Sequence, residues 1–205
     1  MSEGIVRSCN NYDKIIIEIG SGDGRLLHHL SNLYDRDKVF LIGIEIDHDQ
    51  YIDSCIRIDG EEVEKNKNIQ FINESFEDVL ANFNDNSVDT VISVLPHPKY
   101  IDQINQDTWI PIYKTILDKI KVCGYFILVT ELIDELLQPV SPSNYIVWKR
   151  WLIKAFSLIG FEIRRIIDGD TPSYFSSHYL DKFMNDPERI KIISLIMTKK
   201  YNMGS

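Results

Sequence analysis

From Ile15 to Gly24 the chain reads Ile-Ile-Ile-Glu18-Ile-Gly20-Ser21-Gly22-Asp-Gly24, an apolar run that breaks into three glycines at alternate positions. Glycine permits positive φ and lets a backbone lie against a ligand with no Cβ in the way. Where such a turn opens a helix, the unpaired N–H groups face whatever binds there. A second apolar run, Val39-Phe-Leu-Ile-Gly-Ile, ends in Glu45-Ile46-Asp47, and Glu45 stands 21 residues beyond Gly24. An acid at that distance can accept from both hydroxyls of a ribose. A solvated strand end explains Asp47 better than Glu45. A fourth apolar run exits through Leu95-Pro96-His97-Pro98-Lys99. Two prolines around one residue make a stiff, extended segment that holds His97 and Lys99 in place. Imidazole is the side chain best suited to proton transfer near neutral pH.

The glycines run G-x-G-x-G, not the G-x-G-x-x-G that wraps a dinucleotide pyrophosphate. Together with Glu18 and the Gly-Ile-Glu45 form, this resembles motif I and the following acid of the class I S-adenosylmethionine (SAM)-dependent methyltransferases. The resemblance implies SAM as cofactor, held by Glu18, Gly20, Ser21, Gly22, Gly24, Glu45 and Ile46. It places Ser75 and Phe76, after the third strand, beside the adenine, with Glu74 as the competing position. Leu95 joins the cofactor site from the fourth strand.

Within that class the chain most resembles the tRNA (guanine-N7)-methyltransferase family, whose signature runs Phe-Pro-Asp-Pro-Trp-Pro-Lys. Leu95-Pro96-His97-Pro98-Lys99 follows it with two replacements and a shortening. Gly124 to Thr130-Glu131 resembles the family's glycine, strand and Thr-Asp. Ser177-His-Tyr179-Leu180-Asp181-Lys182 resembles its late Thr-x-Tyr-Glu segment. The resemblance implies His97, Lys99 and Glu131 as catalytic positions. It implies Pro96, His97, Lys99, Asp102, Ser177, Tyr179 and Lys182 as substrate contacts, with tRNA as partner. Three departures stand out: His97 replaces an aspartate, Leu180 replaces a glutamate, and the family's basic run after the prolines is missing. Glu131, Asp102 and Asp181 are the acids able to compensate.

Methyl transfer is an in-line displacement at carbon, so holding the nucleophile in line is the enzyme's main task. Guanine N7 has a free lone pair and needs no base. A hydroxyl, amine or carbon acid would, and His97 is then the candidate. Three readings stay open: a tRNA methyltransferase, a small-molecule methyltransferase with His97 as base, and a non-catalytic SAM-binding partner subunit.

The elements that must position these residues alternate. Strands are expected at Lys14–Ile19, Val39–Glu45, Ile69–Asn73, Val88–Leu95, Tyr125–Thr130, Phe161–Ile167 and Ile190–Thr198. Helices are expected at Arg25–Leu33, Asp49–Cys55 running less clearly to Asn66, Phe76–Asn82, Thr108–Ile120 and Tyr145–Leu158. This is an α/β, doubly wound Rossmann-like sheet of seven mostly parallel strands. The link Asp168–Pro187 shows no helix-length apolar pattern, so the last strand is expected to run antiparallel beside the penultimate one. In such sheets ligands meet the carboxyl ends of the strands.

The chain has 205 residues, so a single domain over 1–205 is the default. With 44% hydrophobic and 26% charged residues it reads as a soluble cytoplasmic protein, a monomer or homodimer, with no membrane span. Its three scattered cysteines show neither disulfide nor metal spacing, so no metal is expected. A net charge of −9 argues against general polyanion binding. RNA would have to meet a local patch, and Lys99, Lys149, Arg150, Lys154, Arg164, Arg165 and Lys182 are the cations for it. Trp148 and Trp151 interleave with them, either stacking on bases or serving the core. Tyr174, Phe175 and Tyr179 are placed to cover a base or small substrate.

Overall fold

Three isoleucines in succession, β-branched and uninterrupted by charge, suit a strand buried on both faces. Strand β1 (Lys14–Ile19) is that strand, with every residue after Lys14 buried. It pairs in parallel with β2 (Val39–Ile44) on one side and β4 (Val88–Val94) on the other. The computed structural model describes residue 9 and residues 11–59, 67–134, 136–172, 175 and 177–200.

The remaining strands are β3 (Ile69–Ile72), β5 (Ile120–Ile133), β6 (Phe161–Asp168) and β7 (Ile190–Lys199). The sheet order is β3-β2-β1-β4-β5-β7-β6. Strands β3 to β5 are parallel, and β7 runs antiparallel between β5 and β6. The chain winds outward from β1 to β3 and then returns to β4. The crevice where that order reverses is where an open α/β sheet binds its ligand.

Helices α1 (Arg25–Leu33), α2 (His48–Asp59), α3 (Phe76–Ala81), α4 (Gln106–Lys119), α5 (Pro142–Ile159) and α6 (His178–Met184) complete the fold. Side chains alternate across the sheet. Ile15, Ile17 and Ile19 enter one core with residues of α3, α4 and α5, including Val79, Trp109, Tyr113 and Phe156. Ile16 enters the other with Leu26, Leu27 and Leu30 of α1 and Leu180 of α6. Among the described residues no helix is long and apolar enough to cross a membrane.

Two differences from the sequence expectation have physical causes. Strand β5 begins at Ile120, not Tyr125, and absorbs an irregularity where Cys123 takes φ 68 and the pairing with β4 shifts between Val88 and Thr90. The Asp168–Pro187 link contains α6, whose seven residues are too few to show a period. It is fixed by Ser177, whose hydroxyl accepts from the Leu180 N–H as an N-cap. Residues 60–66, over which α2 was expected to continue, lie outside the described residues, as does Tyr174.

Candidate active site

The glycine loop is built from positive-φ residues: Gly20, Gly22 and Gly24 have φ of 69, 54 and 75. Two of them carry separate constraints. At Gly24 a Cβ would meet the Phe71 ring at 2.6 Å, so this glycine lets α1 pack against β3. At Gly22 there is room, with only Gln50 Oε1 at 3.7 Å, and the constraint is the backbone conformation itself. Its N–H donates to Glu45 Oε2 at 2.8 Å. The other Glu45 oxygen accepts from the Asp47 N–H at 2.9 Å. One buried carboxylate therefore clamps the loop to the end of β2 and keeps lone pairs free for a ligand. Asp47 has a different role: its Oδ1 accepts from the N–H groups of Asp49 and Gln50 and caps α2.

Sequence reasoning missed the brace beneath the loop. Asp23 holds Arg25 Nε at 2.9 Å and Arg57 Nη2 at 2.8 Å, and Arg57 Nε also donates to the Asp23 carbonyl at 2.8 Å. Arg57 comes from α2, 34 residues away, with no local pattern to reveal it. Arg25 also lies 3.8 Å from Asp181, tying the loop to α6.

Glu18 is buried beside Asp23 and Glu45, and one of its oxygens has no hydrogen-bond partner among the described residues. Burial first, then those two neighbouring carboxylates, hold its pKa well above the usual carboxylate range. A buried polar atom without a partner is uncommon and marks a place where a ligand is expected. The buried Ser21 hydroxyl has no partner either.

The loop, Glu45 and the exit of β4 bound one cavity of about 780 Å3 at the carboxyl ends of the strands. That volume is typical of small-molecule and cofactor sites. Glu18, Gly20, Ser21, Gly22, Glu45, Ile46, Ser75, Phe76, Leu95, Pro96, His97, Glu131, Ser177 and Tyr179 all line it. Gly24, Lys99, Asp102 and Lys182 are not on its wall. Gly24 is the packing glycine just described. The Lys99 ammonium lies 4.6 Å from the centre of the Tyr100 ring. Asp102 serves the turn before α4, accepting from the Ile104 N–H at 2.8 Å. Lys182 is exposed on α6.

At the exit of β4, Leu95 adopts φ 52, strained for a bulky side chain, and its N–H donates to the Val129 carbonyl at 2.8 Å. The chain then turns into Pro96 and a short 3-10 turn, Pro98–Tyr100. His97 caps that turn, its Nδ1 accepting from the Lys99 N–H at 3.2 Å. A neutral imidazole accepting at Nδ1 carries its proton on Nε2. The nitrogen left for a ligand is thus a donor, which argues against His97 as general base.

Ser75 also differs from expectation. Its hydroxyl accepts from the Asp78 N–H at 3.1 Å and donates to the Asp78 carboxylate at 2.7 Å, so it caps α3 instead of standing free beside an adenine. Glu131 reaches the cavity near the end of β5. Burial pushes its carboxyl up to about 7, and Oε2 is buried with no partner among the described residues.

The cations and aromatics proposed for RNA separate. Trp148 is buried in the core and Trp151 packs against it, its ring 6.1 Å from that of Trp109. Lys149 is paired with Asp168 at 2.6 Å and Arg164 with Glu162 at 2.9 Å. Arg150, Lys154 and Arg165 are exposed. Phe175 is buried, whereas Tyr179 stays 60% exposed at the cavity edge.

No protein-family profile matches the sequence, and no curated protein matches it. Solved structures do match, end to end. A 16S rRNA methyltransferase, KamB, superposes with TM-score 0.73 at 10% identity, covering 98% of this chain and 94% of that one. An antibiotic-related methyltransferase gives 0.68 at 18% identity, covering 98% and 94%. The fold is that of the Rossmann-like methyltransferases. Geranyl diphosphate C-methyltransferase from Streptomyces coelicolor, solved with S-adenosyl-L-homocysteine, gives 0.62 at 12% identity, covering 97% of this chain and 78% of that one. This methyltransferase fold places the glycine loop, Glu45 and the β4 exit around one crevice.

Proposed function

We propose that the protein is a SAM-dependent methyltransferase that methylates a ring nitrogen of a nucleobase in folded RNA, with guanine N7 of tRNA the first acceptor to test. One observation carries the reading: the glycine loop clamped by Glu45 and the proline-flanked His97 segment open into the same cavity. Bound SAM supplies a methyl group whose carbon–sulfur bond breaks with its electron pair passing to sulfur. Glu18 and the loop amides would hold the amino-acid end, and Glu45 would accept from the ribose. Glu131 accepts an N–H from the base edge, where the resembled family uses other acids, and His97 donates from Nε2. The lone pair of the ring nitrogen forms the new bond, so no general base is needed. The full-length match to an rRNA methyltransferase supports an RNA acceptor, and Lys99 and Lys182 are exposed cations able to meet phosphate.

A second reading, a small basic acceptor, rests on the charge of the wall. Among the described residues eight carboxyl groups line the cavity (Glu18, Asp23, Glu45, Asp47, Asp53, Glu74, Glu77, Glu131), two of them with raised pKa, against one guanidinium, Arg25, itself paired with Asp23. The test is label transfer from methyl-tritiated SAM into unfractionated tRNA and rRNA, with nucleoside analysis. Labelled 7-methylguanosine supports the first reading, and another labelled nucleoside corrects the atom. No label, with SAM binding intact, selects the small acceptor or a non-catalytic SAM-binding subunit.

A further inference from the structure

Helix α2 exposes Asp49, Ile52, Asp53 and Ile56, at i, i+3, i+4 and i+7. That spacing sets all four on one face of the helix. Helix α5 exposes Val147, Arg150, Lys154 and Leu158 on one face in the same way. Ile56 and Val147 are each 63% exposed and Leu158 is 75% exposed. None of the four charges takes part in an ion pair among the described residues. A single exposed apolar residue needs no explanation, but two in line with two unpaired charges of one sign make a patch.

The two patches fit each other. In each, the charges stand four residues apart, about 6 Å along the axis. Laid antiparallel, Arg150 faces Asp53 and Lys154 faces Asp49. Val147 and Ile56, each three residues outside its neighbouring charge, then meet. A net charge of −9 repels two copies at long range. At physiological ionic strength repulsion beyond about 8 Å is largely screened, while charges in contact still attract.

The fold keeps the patches apart. Helix α2 packs on β3 and α5 on β6, the two edges of the sheet. The six strand spacings between those edges span roughly 29 Å at about 4.8 Å each. The helices also lie on opposite faces. Helix α5 joins the core of Trp109, while Ser54 of α2 sits beside Gly24 at the start of α1. One molecule therefore cannot pair its own patches, nor can both patches meet the same neighbour. The contact is heterologous and leaves a free patch at each end of an assembly.

We propose that this protein self-associates head to tail, with α5 of one copy seated on α2 of the next. Asp53 also lines the cavity, so the neighbour's α5 stands at its rim. The test is sedimentation velocity of the full chain at physiological ionic strength, from micromolar to near-millimolar concentration. The mean mass of wild type should keep rising with concentration without levelling at a dimer. Arg150→Glu/Lys154→Glu and Asp49→Lys/Asp53→Lys should each stay monomeric, because each carries two patches of one sign. Mixed in equal amounts they should associate, because each presents the sign the other lacks. Asp49 lies in the first turn of α2, where lysine opposes the helix dipole. Should that variant fail to fold by circular dichroism, the α5 variant added to wild type decides: it should cap the assemblies and lower their mean mass. No lowering, a monomeric wild type, a closed dimer, or association that survives Arg150→Glu/Lys154→Glu would overturn the proposal. A mixture of the two folded variants that stays monomeric would do the same. A monomeric wild type whose binding to unfractionated tRNA falls in the α5 variant would assign that stripe to phosphate instead, again overturning it.

Discussion

Replacing Glu131 by glutamine should stabilise the ligand-free protein in a pH-dependent way while impairing turnover. Burial holds the carboxyl at about 7 against an ordinary value of 4.5, with one oxygen unpaired among the described residues. The unfolded chain therefore loses this proton before the folded protein does. Below about pH 4.5 both states are protonated and burial of the group carries no ionisation cost. Between about 4.5 and 7 the wild type loses stability, and above about 7 the loss levels off. At 1.36 kcal/mol for each tenfold change in proton affinity, the full loss is about 3 to 4 kcal/mol at most. Glutamine has the same size and does not ionise, so its advantage should grow by about that amount from acid to pH 8. Urea unfolding of both proteins across this range measures it. Glu18, whose pKa is raised for similar reasons, is common to both and cancels. At pH 8 the variant should also lose kcat/KM for the methyl acceptor while keeping its SAM affinity. Stability curves that stay parallel across the range would refute the claim that burial raises the Glu131 pKa in the fold. An unchanged kcat/KM would remove it from acceptor recognition.

Three further substitutions probe the cofactor clamp and the β4 exit. Glu45→Ala removes the acceptor of two backbone N–H groups and should weaken SAM by roughly 1.5–3 kcal/mol, read by calorimetry; unchanged affinity would free the clamp of any cofactor role. Gly22→Ala forces a Cβ onto a backbone at φ 54, which costs about 1–2 kcal/mol and should show as a lower melting temperature together with weaker SAM binding. His97→Ala should cut kcat with little change in SAM affinity; if His97 acts by donating from Nε2 and not as a base, His97→Asn should recover part of the rate, and no recovery would favour proton abstraction.

Much of the scaffold was legible in the chain because it rests on local signals. Strand β1 and helix α1 have the bounds their apolar patterns predict, Lys14–Ile19 and Arg25–Leu33. The antiparallel β7 followed from the missing crossover before it. Helix α6 was not legible, since seven residues carry no period and its start depends on the Ser177 cap. The start of β5 at Ile120 was read as the end of a helix, because an apolar run fits either state until its partner strand is known.

The sequence by itself determined the order of elements, the glycine loop, and the acids and prolines at the strand ends. Those features depend on backbone preference and on side-chain periods of 2 and 3.6, which neighbours in the chain express. Only the tertiary structure decided which of those residues share a cavity. Lys99, Asp102 and Lys182 lie off its wall, although their motif neighbours His97 and Tyr179 lie on it. It also brought Arg57 beneath the glycine loop and left Glu18, Tyr113 and Glu131 each with an oxygen unpaired among the described residues. Burial and pairing depend on groups tens of residues apart, and so does the setting of each carboxyl: burial and two neighbouring carboxylates raise the pKa of Glu18, while Glu45 is clamped by two backbone amides.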